Sequence, residues 1–119
     1  MEQDAAEFVA HLLHSSTVAH FMHLATGSYA QHKALQKYYE SIIDLADAYA
    51  EAYSGKYEQL KSFPDEFHSG KDPVEYLGSL RDFVEEARQA LPDDTELQNI
   101  VDEIADLINS TLYKLRFLK

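Results

Sequence analysis

Four segments of the chain place apolar residues three or four positions apart, the spacing of a helix with one buried face. Each segment opens with an Asp or Ser that can cap a helix, and a Glu or Gln follows three positions later. Glycine and proline, with 4 and 3 copies in 119 residues, fall mostly between the segments. The pattern predicts an all-α, four-helix bundle in one domain, residues 1–119, with helices near 4–25, 28–54, 72–90 and 93–118.

Two kinds of connection join these helices. The short breaks at residues 26–27 and 91–92 predict that helices 1 and 2, and helices 3 and 4, are antiparallel neighbours. The connection between helices 2 and 3 is long and carries apolar residues of its own, which are Tyr57, Leu60, Phe63 and Phe67. Such a connection can cross the bundle and let helices 2 and 3 run parallel, which is the ferritin-like arrangement. A simple up-down bundle is the alternative.

Composition excludes several classes of protein. The absence of Cys excludes a disulfide framework and metal sites with cysteine ligands. The net charge of −11 repels nucleic acid and anionic lipid, and it attracts cations or basic partners. No apolar run is long enough to span a membrane, and the acidic segment Met1–Asp4 lacks the basic region of a secretory signal. We therefore expect a cytoplasmic protein.

Two carboxylates and two imidazoles stand out among the groups that could do chemistry. Asp47 and Glu51 are four residues apart on helix 2, so their like charges repel unless a positive group lies between them. His32 lies about 60° from the centre of the apolar face of this helix, with both carboxylates further round on the same side. His20 occupies a similar flank of helix 1. Such ligands suit Fe, Mn or Zn; the alternative is a solvated acidic face with packing or surface histidines.

The remaining histidines and the tyrosines have plainer interpretations. His23 lies near the apolar centre of helix 1 and is interpreted as a packing residue, with an additional metal ligand as the alternative. His11 and His14 are expected at the surface, and His68 has no partner in the sequence. By their spacing, four tyrosines of helix 2 are expected in the core or at an interface: Tyr38, Tyr39, Tyr49 and Tyr53.

The stretch 20–32, which runs His-Phe-Met-His-Leu-Ala-Thr-Gly-Ser-Tyr-Ala-Gln-His, resembles the ferritin-like Dps family, the DNA-binding proteins of starved bacteria. The steps of 12 residues from His20 to His32, 15 more to Asp47 and 4 more to Glu51 match the spacing of that family's ferroxidase ligands. The end of the last predicted helix, Leu-Tyr-Lys-Leu-Arg, also resembles the family. The chain departs from the family in being short and in lacking a basic tail.

The resemblance implies a metal site that two subunits share. His20 and His32 would come from one subunit, and Asp47 and Glu51 from its two-fold partner. The implied chemistry is iron binding and oxidation of Fe(II), with storage of the product; Mn or Zn in place of iron is the alternative. The implied assembly is a homo-oligomer that is at least a dimer, and a dodecameric cage is the form that would store iron. DNA binding is not expected at a net charge of −11.

A second hypothesis needs no metal. The chain would then be a non-enzymatic, acidic helical-bundle interaction protein that has the fold but no active metal centre, and it would present its acidic surface to a basic partner. The sequence leaves both hypotheses open, because metal ligands and solvated side chains are residues of the same types. Oligomeric state discriminates between them, since a monomer cannot build a site from two subunits.

Overall fold

Four α-helices make up most of the computed structural model, which describes residues 1–66 and 68–119. They are α1 (Glu2–Ala25), α2 (Tyr29–Lys56), α3 (Pro73–Ala87) and α4 (Thr95–Phe117), and a 3₁₀ turn over Arg88–Ala90 extends α3. The predicted all-α fold with four helices is confirmed. The boundaries agree with the predicted ones to within two residues when the 3₁₀ turn is counted with α3.

The turn between α1 and α2 is closed by side-chain hydrogen bonds. Ser28 caps α2, because its Oγ accepts a hydrogen bond from the backbone N–H of Gln31 at 3.2 Å. The side chain of Gln31 does not return to Ser28; its Oε1 accepts from Thr26 Oγ1 at 2.7 Å. Thr26 Oγ1 in turn accepts from the N–H of Ser28 at 3.1 Å. These bonds fix how the two helices face each other.

The helices pack in the order α1, α2, α4, α3 around the bundle, so α2 and α3 lie diagonally opposite. At the end of α2, the Tyr57 hydroxyl donates to Asp94, and Lys56 Nζ is 3.7 Å from the same carboxylate. Helix α4 therefore begins where α2 ends. Helix α3 and its 3₁₀ turn end near the start of α4, because only residues 91–94 separate the turn from α4.

The core is built from all four helices, and α2 contributes its largest side chains. Tyr38, Tyr49 and Tyr53 are buried, as their spacing predicts. Two residues of the apolar pattern of helix 1, Leu13 and Phe21, are exposed instead, because they lie on the side of α1 away from the core.

The connection is partly covered. Leu60 is buried, Tyr57 and Phe63 are exposed, and Phe67 lies outside the described residues. Over the described parts of the chain, none of the helices has the length and apolar character to cross a lipid bilayer.

Candidate metal centre

Three imidazoles and a tyrosine meet where α1 turns into α2. The ring of His20 stacks on that of Tyr39, with centroids 4.1 Å apart and planes at 10°. The rings of His23 and His32 stack on each other, with centroids 3.6 Å apart and planes at 20°. The centroids of His20 and His23 are 5.9 Å apart. The fold therefore places both predicted histidine ligands beside His23.

Each ring of the stacked pair hydrogen-bonds to the backbone of the other residue. His23 Nδ1 is 2.7 Å from the carbonyl oxygen of His32, and His32 Nδ1 is 2.9 Å from the carbonyl oxygen of His23. Because a carbonyl oxygen only accepts hydrogen bonds, both Nδ1 atoms must carry the hydrogen and donate it. In the neutral rings Nε2 then has a free lone pair, which is the form that binds a metal ion.

The two stacked rings cannot both bind the same metal ion. A metal ion binds along the Nε2 lone pair, in the plane of the ring and about 2.0–2.1 Å from the nitrogen. Two parallel rings stacked face to face therefore do not share one ion. His23 is buried and His32 is half-buried. His32 is therefore the more accessible ring of the two, and the carbonyl oxygen of His23 orients it through its Nδ1 atom.

Asp47 and Glu51 lie further along α2, on its outward side. Both side chains are exposed, and neither forms an ion pair with the residues that the structure describes. Asp47 is 15 residues beyond His32, which is about 22 Å along a helix. One chain does not bring the four predicted ligands together. Within residues 1–66 and 68–119, no three or more His, Asp or Glu side chains are grouped to hold a metal ion.

A second aromatic stack lies where the connection passes α1. His11 is stacked between Phe83 of α3 and His68 of the connection, with centroid distances of 3.9 and 4.5 Å. His11, which was expected at the surface, is half-buried between these two rings, and His68 has a partner in the fold. Burial, together with the neighbouring His68 and His14, lowers the pKa of His11 to about 4. A groove of about 620 Å³ beside this stack is lined by none of the four predicted ligands.

The sequence predicts a packing role for His23, and its burial agrees with that prediction. The apolar pattern does not predict the hydrogen bonds between His23 and His32. One signal could have revealed them: a short turn between antiparallel helices sets residues equally far from its centre at the same height. His23 and His32 lie four residues before and five residues after Gly27.

Comparison with known proteins gives a family. A family model described as a family of unknown function, DUF5856, matches residues 23–115, more than three quarters of the chain. No curated protein and no solved structure matches the chain. The matched range contains His32, Asp47 and Glu51 and begins three residues after His20. The chain therefore belongs to DUF5856, a family of unknown function.

Proposed function

We propose that the protein is a ferritin-like, iron-binding protein of the Dps type. Fe(II) is its substrate, oxidised at a site between two copies of the chain, and a larger homo-oligomer would store the ferric product. The observation that carries the proposal is the reciprocal hydrogen bonding of His23 and His32. It holds the His32 ring in the one tautomer whose Nε2 can bind a metal ion.

The proposed ligands are of two kinds, neutral nitrogen donors and negatively charged oxygen donors. His20 and His32 supply neutral nitrogen donors, and the partner's Asp47 and the partner's Glu51 supply oxygen donors. The two carboxylates offset the charge of Fe(II), and hard oxygen ligands stabilise the ferric product. Each Fe(II) gives up one electron to dioxygen or peroxide. One peroxide accepts the electrons of two ferrous ions and, with two protons, becomes two waters. Mn or Zn suits the same ligands.

The arrangement of the helices supports the ferritin-like part of the proposal. A bundle in which the second and third helices run parallel, joined by one long connection across the bundle, is the topology of ferritin-like proteins. The ends of α2 and α3 both lie near the start of α4, which supports a parallel arrangement of these two helices, joined by the connection between them. The resemblance to the Dps family and the helix order are independent observations, because the first rests on ligand spacing and the second on packing.

The test is an anaerobic Fe(II) titration, followed by addition of dioxygen or peroxide while the ferric absorbance is recorded. We expect stoichiometric binding and rapid oxidation by the natural sequence. His32→Ala, and Asp47→Ala combined with Glu51→Ala, should each weaken binding more than about tenfold, because each removes direct ligands. The exposed pair Glu103→Ala with Asp106→Ala on α4 is the matched control and should bind as the natural sequence does.

The proposal is wrong if the ligand variants and the control bind Fe(II) equally well. The exposed positions of Asp47 and Glu51 mean that their loss should leave the circular dichroism spectrum unchanged. A loss of binding can therefore be assigned to the ligands.

One observation favours the alternative, a metal-free interaction protein. The charges of the C-terminal segment are separated. Residues 93–106 contain Asp and Glu but no Lys or Arg, and residues 107–119 contain Lys and Arg but no Asp or Glu. A surface divided in this way suits a basic partner at its acidic end. If Fe(II) fails to bind, we propose this function instead, and a basic protein retained at low salt and released by high salt is its test.

A further inference from the structure

Helix α2 carries a line of exposed side chains on the side that faces away from the bundle. Successive members are three or four residues apart, so they share one face of the helix. We call this line the α2 stripe; it consists of Tyr29, Lys33, Lys37, Glu40, Asp44, Asp47 and Glu51. Among the described residues of the same chain, none of its charged members forms an ion pair.

The charges of the stripe reverse about Glu40. Lys37 lies three residues before it and Asp44 four residues after it, while Lys33 and Asp47 lie seven residues to either side. A second copy turned end over end about a two-fold axis near Glu40 would set each lysine against an aspartate. The pairing would occur twice, because a two-fold axis repeats every contact. The two Glu40 carboxylates near the axis would each lie one turn from a Lys37 ammonium group.

We propose that two copies of the chain pair antiparallel through the α2 stripe, with the two-fold axis near Glu40. The partner that binds this stripe is a second copy of the chain, because the stripe is complementary in charge to itself when two copies are antiparallel. Within one chain Lys37 and Asp44 are seven residues apart, about 10 Å along the helix, so they do not pair with each other.

The face around the axis is apolar enough to form the centre of such an interface. Ile43 is 40 % exposed and lies three residues from Glu40. Ser16 Oγ donates to the carbonyl oxygen of Tyr39, so residues of α1 and α2 lie at the same height when their numbers sum to 55. By this rule Leu13, which is 36 % exposed, is level with residue 42 and lies within one residue of the height of Ile43.

The stripe is long enough for a stable interface. From Tyr29 to Glu51 it spans about 33 Å, and with α1 beside it the face is about 20 Å wide. Pairing over this face would cover about 700 Å² of each chain, close to the roughly 800 Å² per partner of a standard interface.

This inference deepens the proposed function and rests on it only for the metal, because the charge pattern is independent of iron. The axis near Glu40 sets His32 level with the partner's Ala48, which lies between the partner's Asp47 and the partner's Glu51. The register chosen from charges alone therefore brings together the imidazole and the carboxylates that one chain holds about 22 Å apart.

The test is a charge swap, with association measured by sedimentation equilibrium in the presence of a metal chelator. We expect an even number of chains in the natural protein. Lys37→Glu and Asp44→Lys should each weaken association about tenfold or more, because each turns two attractions into repulsions. The double variant Lys37→Glu with Asp44→Lys restores both pairs and should return association to within about threefold of the natural value. Arg116→Glu and Asp106→Lys on α4 make the same charge changes and should have little effect.

Several results would overturn the interface. These are a monomeric natural protein, single variants that associate as the natural sequence does, or a double variant that is not restored. The outcome is separable from that of the iron titration. A restored charge swap in a protein that does not bind Fe(II) leaves the interface standing and removes the proposed function. Fe(II) binding by a monomer removes both the interface and the site shared between two copies, and it leaves only iron binding standing.

Discussion

At the scale of single residues, two buried tyrosines of α2 differ in what their hydroxyl groups contact. Ser15 Oγ donates to the carbonyl oxygen of Leu12 at 2.6 Å, so the Tyr38 hydroxyl, 2.7 Å away, donates to Ser15. The Tyr49 hydroxyl is buried and has no hydrogen-bond partner among the described residues. Burial raises the pKa of both phenols, so both hydroxyls keep their hydrogen at neutral pH.

The same substitution should therefore have opposite effects at the two positions. Tyr49→Phe removes a buried hydroxyl with no partner and should raise the free energy of unfolding by about 1 kcal/mol. Tyr38→Phe leaves Ser15 without its hydrogen-bond donor and should lower the free energy of unfolding by about 1 kcal/mol. Urea unfolding followed by circular dichroism measures both. Equal changes in the same direction would show that the two hydroxyls do not differ in this way.

The burial of the tyrosines was predictable from spacing, but their hydrogen bonds were not. Tyr38 repeats at helical intervals with the other core residues of α2, and this periodicity is local. Its partner Ser15 is 23 residues away, and the contact depends on how α1 and α2 face each other. The same limit applies to His23 and His32, whose bonds depend on the turn between these helices.

At the scale of secondary structure, the connection between α2 and α3 is held to the bundle by the stack of His68, His11 and Phe83. The pKa of His11 is lowered to about 4, chiefly by burial, from the ordinary histidine value of about 6.5. As pH falls, the unfolded chain therefore takes up a proton at this position before the folded chain does. Stability is lost as pH falls from about 6.5 towards 4.

We expect His11→Phe to remove part of the acid sensitivity of folding. The phenyl ring keeps the stack but does not titrate. Because the His11 ring is only half-buried, its share of the loss between pH 6.5 and 4 should be about 1 kcal/mol. Urea unfolding at a series of pH values compares the variant with the natural sequence. If the two lose stability in parallel over this range, His11 is not the responsible group.

The helices themselves were largely predictable, and their ends less so. Repeated apolar spacing and the Ser28 cap locate α2 to within two residues. Helix α4 begins at Thr95, two residues later than predicted. The carboxylate of Asp94, just before it, accepts a hydrogen bond from the Tyr57 hydroxyl and forms an ion pair with Lys56. That contact joins residues 37 positions apart, so the choice between Asp93 and Asp94 as the helix start depends on tertiary packing.

At the scale of the whole molecule, the candidate site is divided between regions that one chain keeps apart. The histidines lie at the turn between α1 and α2, and Asp47 and Glu51 lie in the second half of α2. Ligand types and spacing were available in the sequence. Their separation along α2 means that only a second copy could complete the site, and a single chain cannot contain that contact.

The most direct test of a shared site mixes two inactive variants. His32→Ala lacks a histidine ligand, and Asp47→Ala with Glu51→Ala lacks the carboxylates, so each alone should bind no Fe(II) at the site. When equal amounts are unfolded together and refolded, about half of the pairs combine one copy of each variant. One of the two sites in such a pair has all four ligands. The mixture should therefore regain about a quarter of the Fe(II) binding of the natural protein, and a mixture that binds no more than its separate components would contradict a site built from two copies.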